Sequence, residues 1–256
     1  MNKKIAFFVD GGYFTRRIDF FLRKYFAGSS LTPEQVISIL YYLVNRHKQH
    51  VSRDELYRIY YYDAPPFEDQ MREPVPQEGK QGLSTKAFKK DPKTIFQKEL
   101  HSSLGQCRKL ALRMGQLSNS KRWLMTEFAQ KRLLSGALTV DQLKPADFFL
   151  DIQQKGVDTR IGIDISTLTF RKFADTIVLF ASDADFVPAA KLARTHGVDV
   201  MLDPLYGNVA SDLSLHVDGI KSFDIVSAIS RCIGMAPNPA PDWWKMAQGD
   251  LELKEV

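Results

Sequence analysis

Acidic residues stand at the ends of two short, continuous apolar runs of the sequence. Asp10 follows the run Ile5–Val9, and Asp183 and Asp185 follow the run Ile177–Ala181. A short apolar run bounded by turn residues is typical of a strand that is buried on both faces of a parallel sheet. Ligands of such sheets bind outside the carboxyl ends of the strands, so these acids are candidates for chemistry.

Two further acids lie on the segment that leads into the second run. Asp158 stands at the start of a predicted helix, and Asp164 lies further along it. Several carboxylates at one place raise each other's pKa unless a cation is present. A hard cation such as Mg²⁺ or Mn²⁺ suits this set, with Asp10, Asp158, Asp164, Asp183 and Asp185 as candidate ligands. A metal ion of this kind activates water for attack on phosphorus, which is nuclease chemistry.

Each of these acids also has a purely structural interpretation. Asp10 before two glycines is a turn former, Asp158 suits a helix cap, and Asp164 suits a helix surface. The Asp183 and Asp185 pair is placed to cap the helix that follows, and we expect one of the two to do so. Residue types and spacing leave both interpretations open.

Alternating strand and helix patterns predict an α/β fold that brings the acids together. Strands are predicted at 5–10, 56–62, 148–152, 176–181, 198–202 and 220–223. Helices are predicted at 13–26, 32–50, 94–114, 126–134, 157–173, 185–196, 209–216 and 225–232, and residues 67–91 form a long polar loop. This order indicates a central parallel sheet with right-handed crossovers.

Several other chemistries and locations are excluded by the sequence. The first strand is followed by Asp10–Phe14, which lacks the glycine spacing of a dinucleotide site, and no P-loop is present. Haloacid-dehalogenase phosphatases require a second acid where this chain has Gly12. The apolar runs are too short for a membrane span or a secretory leader. Cys107 and Cys232 are the only cysteines, which predicts a reducing, cytoplasmic location.

Positive charge is concentrated in the middle of the chain. Between Lys80 and Arg132 there are 13 lysines and arginines against three acids, a net charge of +10, whereas the whole chain carries +5. Such a segment favours a polyanionic partner, although it also suits a solubilising surface. The candidate phosphate contacts are Lys86, Lys89, Lys90, Lys93, Lys98, Arg108, Lys109, Arg113, Lys121 and Arg122. Phe88, Phe96 and Trp123 are candidates for base stacking, with packing the alternative that we favour for Phe96.

A series of motifs resembles the LabA-like branch of the NYN domain family, in the family's order. The motifs are Phe8–Phe14, Lys155–Asp158 with Asp164, Ser182–Pro188, Gly197–Val200, Ser211–Leu213 and Val217–Ile220. The resemblance covers residues 1–62 and about 148–226. One departure is Tyr13, because many NYN proteins carry asparagine there.

The resemblance implies a PIN-like Rossmannoid three-layer sandwich that occupies residues 1–235. A basic, mainly helical insertion is expected at about 63–147, and a tail at 236–256. It also implies a metal-dependent endoribonuclease whose catalytic acids are Asp10, Asp158, Asp183 and Asp185, with RNA as the partner. The alternatives are a catalytically silent module that binds RNA or a protein, and a phosphatase or nucleotide hydrolase on the same scaffold. A homo-oligomer is left open.

Overall fold

The computed structural model describes residues 3–51, 55–118 and 120–244. They divide into two units. The first unit contains the described residues of Met1–Asp63, Glu99–Gly115 and Gly156–Val256, and the second contains those of Ala64–Lys98 and Gln116–Lys155. The candidate acids Asp10, Asp158, Asp164, Asp183 and Asp185 all belong to the first unit.

Twelve strands and eight α-helices are found in the described residues. The strands are β1 Lys4–Asp10, β2 Glu55–Asp63, β3 Gln70–Arg72, β4 Thr85–Ala87, β5 Leu110–Met114, β6 Gln116–Leu117, β7 Arg122–Met125, β8 Phe148–Asp151, β9 Gln154–Lys155, β10 Thr176–Phe180, β11 Asp199–Asp203 and β12 Gly219–Ile220. The helices are α1 Gly11–Tyr25, α2 Pro33–His50, α3 Pro92–Gln106, α4 Glu127–Leu134, α5 Val157–Phe170, α6 Val187–Thr195, α7 Ser211–Leu215 and α8 Ile225–Ile233.

A six-stranded parallel sheet forms the centre of the first unit, in the order β12-β11-β10-β1-β2-β5. The chain adds β2 and β5 on one side of β1, then crosses over and adds β10, β11 and β12 on the other side. The strand order therefore reverses between β1 and β10, which are neighbours. In open α/β sheets, ligands bind in the crevice at the carboxyl ends of the strands at this reversal.

Apolar side chains of β1 are buried on both faces of the sheet. Residues 5–9 are fully buried. Phe7 contacts His47 of α2, whereas Phe8 joins a cluster with Ile161 and Ile165 of α5. Burying each such side chain contributes roughly 1.5–3 kcal/mol. The arrangement confirms the prediction of a central parallel sheet flanked by helices.

Helix ends in the first unit carry residues that favour capping. Thr32 caps α2, with Gln35 completing a capping box and Pro33 in the first turn. Gly197, with φ of 81°, follows the end of α6 in the left-handed conformation that glycine adopts easily. These ends set the positions of the helices on the two faces of the sheet.

The prediction of a helix at 94–114 is wrong beyond Gln106. Helix α3 ends there, Lys109 takes a left-handed φ of 59°, and Leu110–Met114 becomes the edge strand β5 of the main sheet. The residues of this strand also fit a helical pattern, and pairing with β2 decides between the two. As a result, residues 99–115 belong to the first unit rather than to an insertion.

The second unit mixes short helices with three two-stranded antiparallel ladders. The ladders are β3 with β4, β6 with β9, and β7 with β8. This composition differs from the mainly helical insertion that we expected, and the predicted polar loop at 67–91 contains one of the ladders. In the described residues, no helix combines the length and the apolar character needed to cross a membrane.

Candidate active site at the carboxyl edge of the sheet

Asp10 ends β1 and begins α1, at the point where the strand order reverses. Its Oδ1 accepts a hydrogen bond of 2.9 Å from the backbone N–H of Tyr13, so the carboxylate also caps the helix. The next residue has no room for a side chain, because a Cβ on Gly11 would lie 2.4 Å from the Tyr61 ring and 2.7 Å from the Tyr62 carbonyl oxygen. Contact with β2 thus fixes the turn that carries Asp10.

The surroundings of Asp10 disfavour its negative charge. Burial raises the pKa of its carboxyl group, and the nearby acids Asp158 and Asp63 raise it further. The Tyr13 N–H and the Arg16 guanidinium act in the opposite direction, but the net pKa is above the ordinary value. A cation bound at this carboxylate would relieve the cost of its charge.

Asp158, Asp183 and Asp185 extend the acidic group toward the end of β10. All three are exposed. Asp158 lies in the first turn of α5 but does not cap it, because the cap is Gly156. The pKa of its carboxyl group is raised, first because neighbouring protein atoms partly remove the group from water, and then because Asp185 and Asp183 are nearby. Asp158 therefore interacts electrostatically with Asp10 on one side and with Asp183 and Asp185 on the other.

One member of the Asp183 and Asp185 pair caps the following turn, as the sequence predicts. The Asp183 Oδ1 accepts a hydrogen bond of 3.2 Å from the backbone N–H of Asp185, at the start of the 3-10 turn Ala184–Phe186. The structural interpretation thus holds for Asp183. It does not compete with a chemical role, because the carboxylate remains exposed.

Asp164 is engaged by two side chains of the first unit. The Tyr62 hydroxyl donates to its Oδ2 at 2.8 Å, and the Arg113 Nε lies 3.0 Å from the same oxygen. Arg113 also packs over the Tyr60 ring, at 5.6 Å from its centroid. These contacts give Asp164 a structural role that links α5 to β2 and β5, and they give Arg113 an acidic partner.

Two acids at strand ends were missed in the sequence. Asp63 ends β2 and is buried, with its Oδ2 2.8 Å from His101 Nε2. Asp203 ends β11 and is fully buried, with its Oδ2 2.8 Å from His47 Nε2. The rule that selects Asp10, an acid at the end of an apolar strand, would also have selected both. Of the two, Asp63 is the one that interacts with the candidate site, because it contributes to the raised pKa of Asp10.

Tyr13 connects the site to the loop that follows β11. Its hydroxyl donates a hydrogen bond of 2.5 Å to the Pro204 carbonyl oxygen. Gly207 lies against the same hydroxyl, and a Cβ there would stand 2.3 Å from the Tyr13 oxygen and 2.9 Å from the Pro204 oxygen. Tyr13 therefore holds the loop after β11 in place.

Replacing Gly207 with alanine is expected to lower the free energy of unfolding by about 1–3 kcal/mol, because the added methyl group would overlap the Tyr13 hydroxyl. Urea denaturation of Gly207→Ala, Tyr13→Phe and the double variant measures the coupling. Removing the hydroxyl should make the alanine less harmful, so the double variant should lose less than the sum of the single losses. Simple additivity would show that the two groups do not constrain each other.

A divalent cation fits the donor chemistry of this edge. Within residues 3–51, 55–118 and 120–244, no three histidine, cysteine or acidic side chains are grouped closely enough to hold a metal ion by themselves. Mg²⁺ does not require such a cage, since it is commonly bound through one or two carboxylates together with waters and substrate phosphates. The coupled carboxylates Asp10, Asp158, Asp183 and Asp185 supply oxygen donors of that kind.

The predicted RNA-binding residues are divided between the two units. Arg108, Lys109 and Arg113 lie in the first, and Lys86, Lys89, Lys90, Lys93, Lys98, Lys121 and Arg122 lie in the second. Four of the latter have acidic partners: Lys86 with Asp91, Lys98 with Glu68, Lys121 with Asp69 and Arg122 with Asp151. Lys89, Lys90 and Lys93 form no ion pair with the described residues, and all three are exposed.

Aromatic residues of the second unit cluster among these cations. Phe88 lies 5.1 Å from Phe67 and 6.2 Å from Trp123, measured between ring centroids. Lys86 packs over the Phe88 ring and Lys121 over the Phe67 ring. The structure thus brings together two of the three predicted stacking residues, Phe88 and Trp123, and adds Phe67.

Comparison with known proteins gives one match. Residues 99–218 match the family model of the NYN domain, which supports the NYN and PIN-like family. The match contains Asp158, Asp164, Asp183 and Asp185, and it begins after Asp10. No curated protein and no solved structure matches the chain.

Proposed function

Taking the NYN match of residues 99–218 as the premise, we propose that the chain is a divalent-metal-dependent endoribonuclease of the LabA-like branch. Its substrate is single-stranded or unstructured RNA. The observation that supports the proposal is the position of Asp10 at the end of β1 and of Asp183 just after the neighbouring β10, where the strand order reverses, together with the influence of Asp158 on the pKa of Asp10. The two free cysteines support a cytoplasmic location.

One or two of these carboxylates at a time, together with waters and the substrate phosphate, would hold Mg²⁺ or Mn²⁺. The bound ion supplies activation of water and neutralisation of phosphate charge during hydrolysis of the phosphodiester bond. The Tyr13 N–H fixes the direction of the Asp10 carboxylate, and the Asp185 N–H does the same for Asp183. Exposed Arg16, which lies close enough to influence the pKa of Asp10, contacts a phosphate of the substrate.

Lys89, Lys90 and Lys93 of the second unit provide further phosphate contacts. Their ammonium groups are exposed and form no ion pair with described residues, so they carry charge that a polyanion can neutralise. In the same unit, Phe67, Phe88 and Trp123 offer ring surfaces beside Lys86 and Lys121. Such contacts position an RNA strand without selecting its sequence.

Removal of the divalent metal is expected to abolish cleavage. Purified protein with Mg²⁺ or Mn²⁺ should shorten an unstructured RNA at internal positions, and EDTA should stop the reaction until excess metal is restored. Gel analysis of RNA labelled at one end measures both effects. Cleavage that continues unchanged in EDTA would contradict the proposal.

One observation favours the alternative of a catalytically silent module that binds RNA or a protein partner, namely that no described group of three side chains is placed to hold a metal ion. Assays of the wild type and of the double variant Lys89→Glu and Lys90→Glu separate the alternatives.

A silent module should bind RNA without cleaving it already as the wild type. If the protein is a ribonuclease, the double variant should lose RNA cleavage. If it is a phosphatase, the double variant should keep hydrolysis of a small phosphate ester.

A further inference from the structure

An exposed aromatic cluster lies in the first unit, where α1 meets the loop after β11. The rings of Tyr206 and Trp243 are stacked, with centroids 4.7 Å apart and planes at 7°. Phe21 meets Tyr206 edge-on at 6.3 Å, and Phe20 meets Phe21 at 5.3 Å. Phe20, Tyr206 and Trp243 are 37%, 43% and 41% exposed, so large ring surfaces remain open to solvent.

The loop that carries Tyr206 is held in an unfavourable backbone conformation. Leu205 and Tyr206 both have left-handed φ values, 47° and 55°, which are costly for residues with a side chain. Three hydrogen bonds secure the loop. The Leu205 N–H donates to Asp203 Oδ1 at 2.8 Å, Arg17 Nε donates to the Leu205 carbonyl oxygen at 3.0 Å, and the Tyr206 N–H donates to Ser222 Oγ at 3.1 Å. The fold thus fixes the Tyr206 ring in a partly exposed position.

The described part of the C-terminal segment places Trp243 on this ring. The Asn238 N–H donates to the Tyr25 carbonyl oxygen at 2.7 Å, and Trp244 Nε1 donates to Ser227 Oγ at 3.0 Å. These bonds attach residues 238–244 to α1 and α8. Tyr206 is fixed by its loop and Trp243 by the C-terminal segment, so the stacked pair forms a platform before any ligand binds. A planar ring can stack on this platform with little further loss of side-chain freedom.

Cations of α1 contact the platform at Phe20, whereas the charged groups that act on Tyr206 are the acids Asp224 and Asp203. Helix α1 carries Arg16, Arg17, Arg23 and Lys24 against the single acid Asp19, and across the described ranges none of these cations forms an ion pair with a carboxylate. Arg17 packs over Phe20 at 4.5 Å and Lys24 over the same ring at 5.6 Å. Asp242, beside Trp243, is a nearby carboxylate that opposes this charge. The balance on α1 favours a polyanion over an acidic or purely apolar protein segment.

Helix α1 connects the platform to the candidate active site. Helix α1 begins directly after Asp10, and at about 1.5 Å per residue it carries the chain roughly 15 Å to Phe20. Tyr13 and Arg17 both bond to the loop after β11 along the way. An RNA strand that lies along α1 would therefore reach the acidic edge and the aromatic cluster together.

We propose that Phe20, Tyr206 and Trp243, with the cations of α1, form a subsite that stacks bases of single-stranded RNA and contacts its phosphates. The inference rests on the proposed function for its choice of RNA as ligand. The rings supply stacking that tolerates any base, and Arg23 and Lys24 supply phosphate contacts. The residues of this subsite belong to the first unit, whereas Lys89, Lys90 and Lys93 belong to the second.

Binding in EDTA tests the subsite without cleavage. The probes are a fluorescein-labelled oligoadenylate and an abasic oligomer of the same length, which keeps the phosphates and lacks the bases. In fluorescence anisotropy, the double variant Phe20→Ala and Trp243→Leu should bind oligoadenylate about tenfold more weakly than the wild type, and the abasic oligomer equally well. Phe170→Ala, at an exposed aromatic residue on α5, is the matched control and should bind both probes normally.

A second pair of variants tests the charge. Arg23→Gln with Lys24→Gln should weaken binding of both oligomers alike, and should lower the slope of log Kd against log salt concentration by about 0.7 for each cation removed. Thermal unfolding of every variant checks that the fold is retained. Tyr206→Leu, which leaves the C-terminal segment intact in sequence, repeats the stacking test if the Trp243 variant is unstable.

The outcomes separate this inference from the proposed function. Wild-type affinity for oligoadenylate in both stacking variants, or an equal loss for the abasic oligomer, would overturn the subsite. A base-dependent loss of binding in a protein that never cleaves RNA would support the subsite and contradict the ribonuclease. Metal-dependent cleavage by a protein whose stacking variants bind RNA normally would support the ribonuclease and contradict the subsite.

Discussion

Replacing Asp10 with asparagine is expected to lower the rate of RNA cleavage by about 100-fold or more. A loss of that size corresponds to about 3 kcal/mol of transition-state stabilisation. The reason is that Asp10 stands at the reversal of the strand order, with its charge coupled to Asp158. Single-turnover cleavage with saturating Mg²⁺ measures the effect on the chemical step rather than on RNA binding.

The same variant should not be less stable than the wild type in EDTA. Asparagine accepts the Tyr13 N–H bond as well as aspartate does. The pKa of Asp10 is higher in the folded protein than the ordinary pKa of aspartate. Ionisation of this carboxyl group therefore lowers the free energy of unfolding as the pH rises through the ordinary pKa of aspartate. The neutral amide of asparagine removes that cost at pH 7. Added Mg²⁺ should raise the melting temperature of the wild type more than that of Asp10→Asn.

Asp141→Asn, an exposed change in the second unit, serves as the control for the loss of one negative charge. It should leave both cleavage and the response to Mg²⁺ unchanged. If Asp10→Asn cleaves RNA at the wild-type rate, the carboxylates at this edge have only structural roles. If it unfolds in EDTA, the loss of activity carries no information about chemistry.

The largest effect on stability is expected from Asp203→Ala. This fully buried carboxylate accepts hydrogen bonds from the Leu205 N–H at 2.8 Å and the Ser222 hydroxyl at 2.6 Å, and it lies 2.8 Å from His47 Nε2. The His47 Nδ1 is buried without a hydrogen-bond partner, and Phe7, Phe180 and Phe223 contact its ring. Removing Asp203 therefore leaves the imidazole without a partner at either nitrogen among the described contacts.

We expect the free energy of unfolding to fall by about 3–5 kcal/mol, the range found when one partner of a buried pair is removed. Equilibrium urea denaturation at pH 7 measures it. Glu55→Gln disrupts the exposed pair with Lys109 in the same unit and should cost less than about 1 kcal/mol. A comparable small loss in Asp203→Ala would mean that water satisfies the groups around His47.

The positions of the candidate acids in the fold are predictable from local sequence patterns. The runs that become β1 and β10 are continuous and apolar, so their strand character and the positions of Asp10 and Asp183 follow from simple rules. Their adjacency follows from the parallel α/β topology. The structural role of Asp164 was not predictable, because Tyr62 and Arg113 meet it across 102 and 51 residues of sequence.

The elements that the sequence mispredicts are those whose partners are distant. Leu110–Met114 fits a helix as well as a strand, and only pairing with β2 makes it the sheet edge. The ladders of the second unit are two to four residues long and carry little periodic signal. The attachment of the described tail depends on Tyr25 and Ser227, which no pattern near Trp243 indicates.

The position of β1 in the middle of the sheet has a consequence for when the candidate site can assemble. Asp10 and Asp183 come from neighbouring strands but are 173 positions apart in the chain. During synthesis the N-terminal strand must wait, unpaired on one side, until β10 has left the ribosome. A nascent chain therefore passes through most of its translation, surrounded by ribosomal RNA, before its acids can meet. For the same reason, a fragment trimmed to residues 99–218 would lack the strand on which both halves of the sheet assemble.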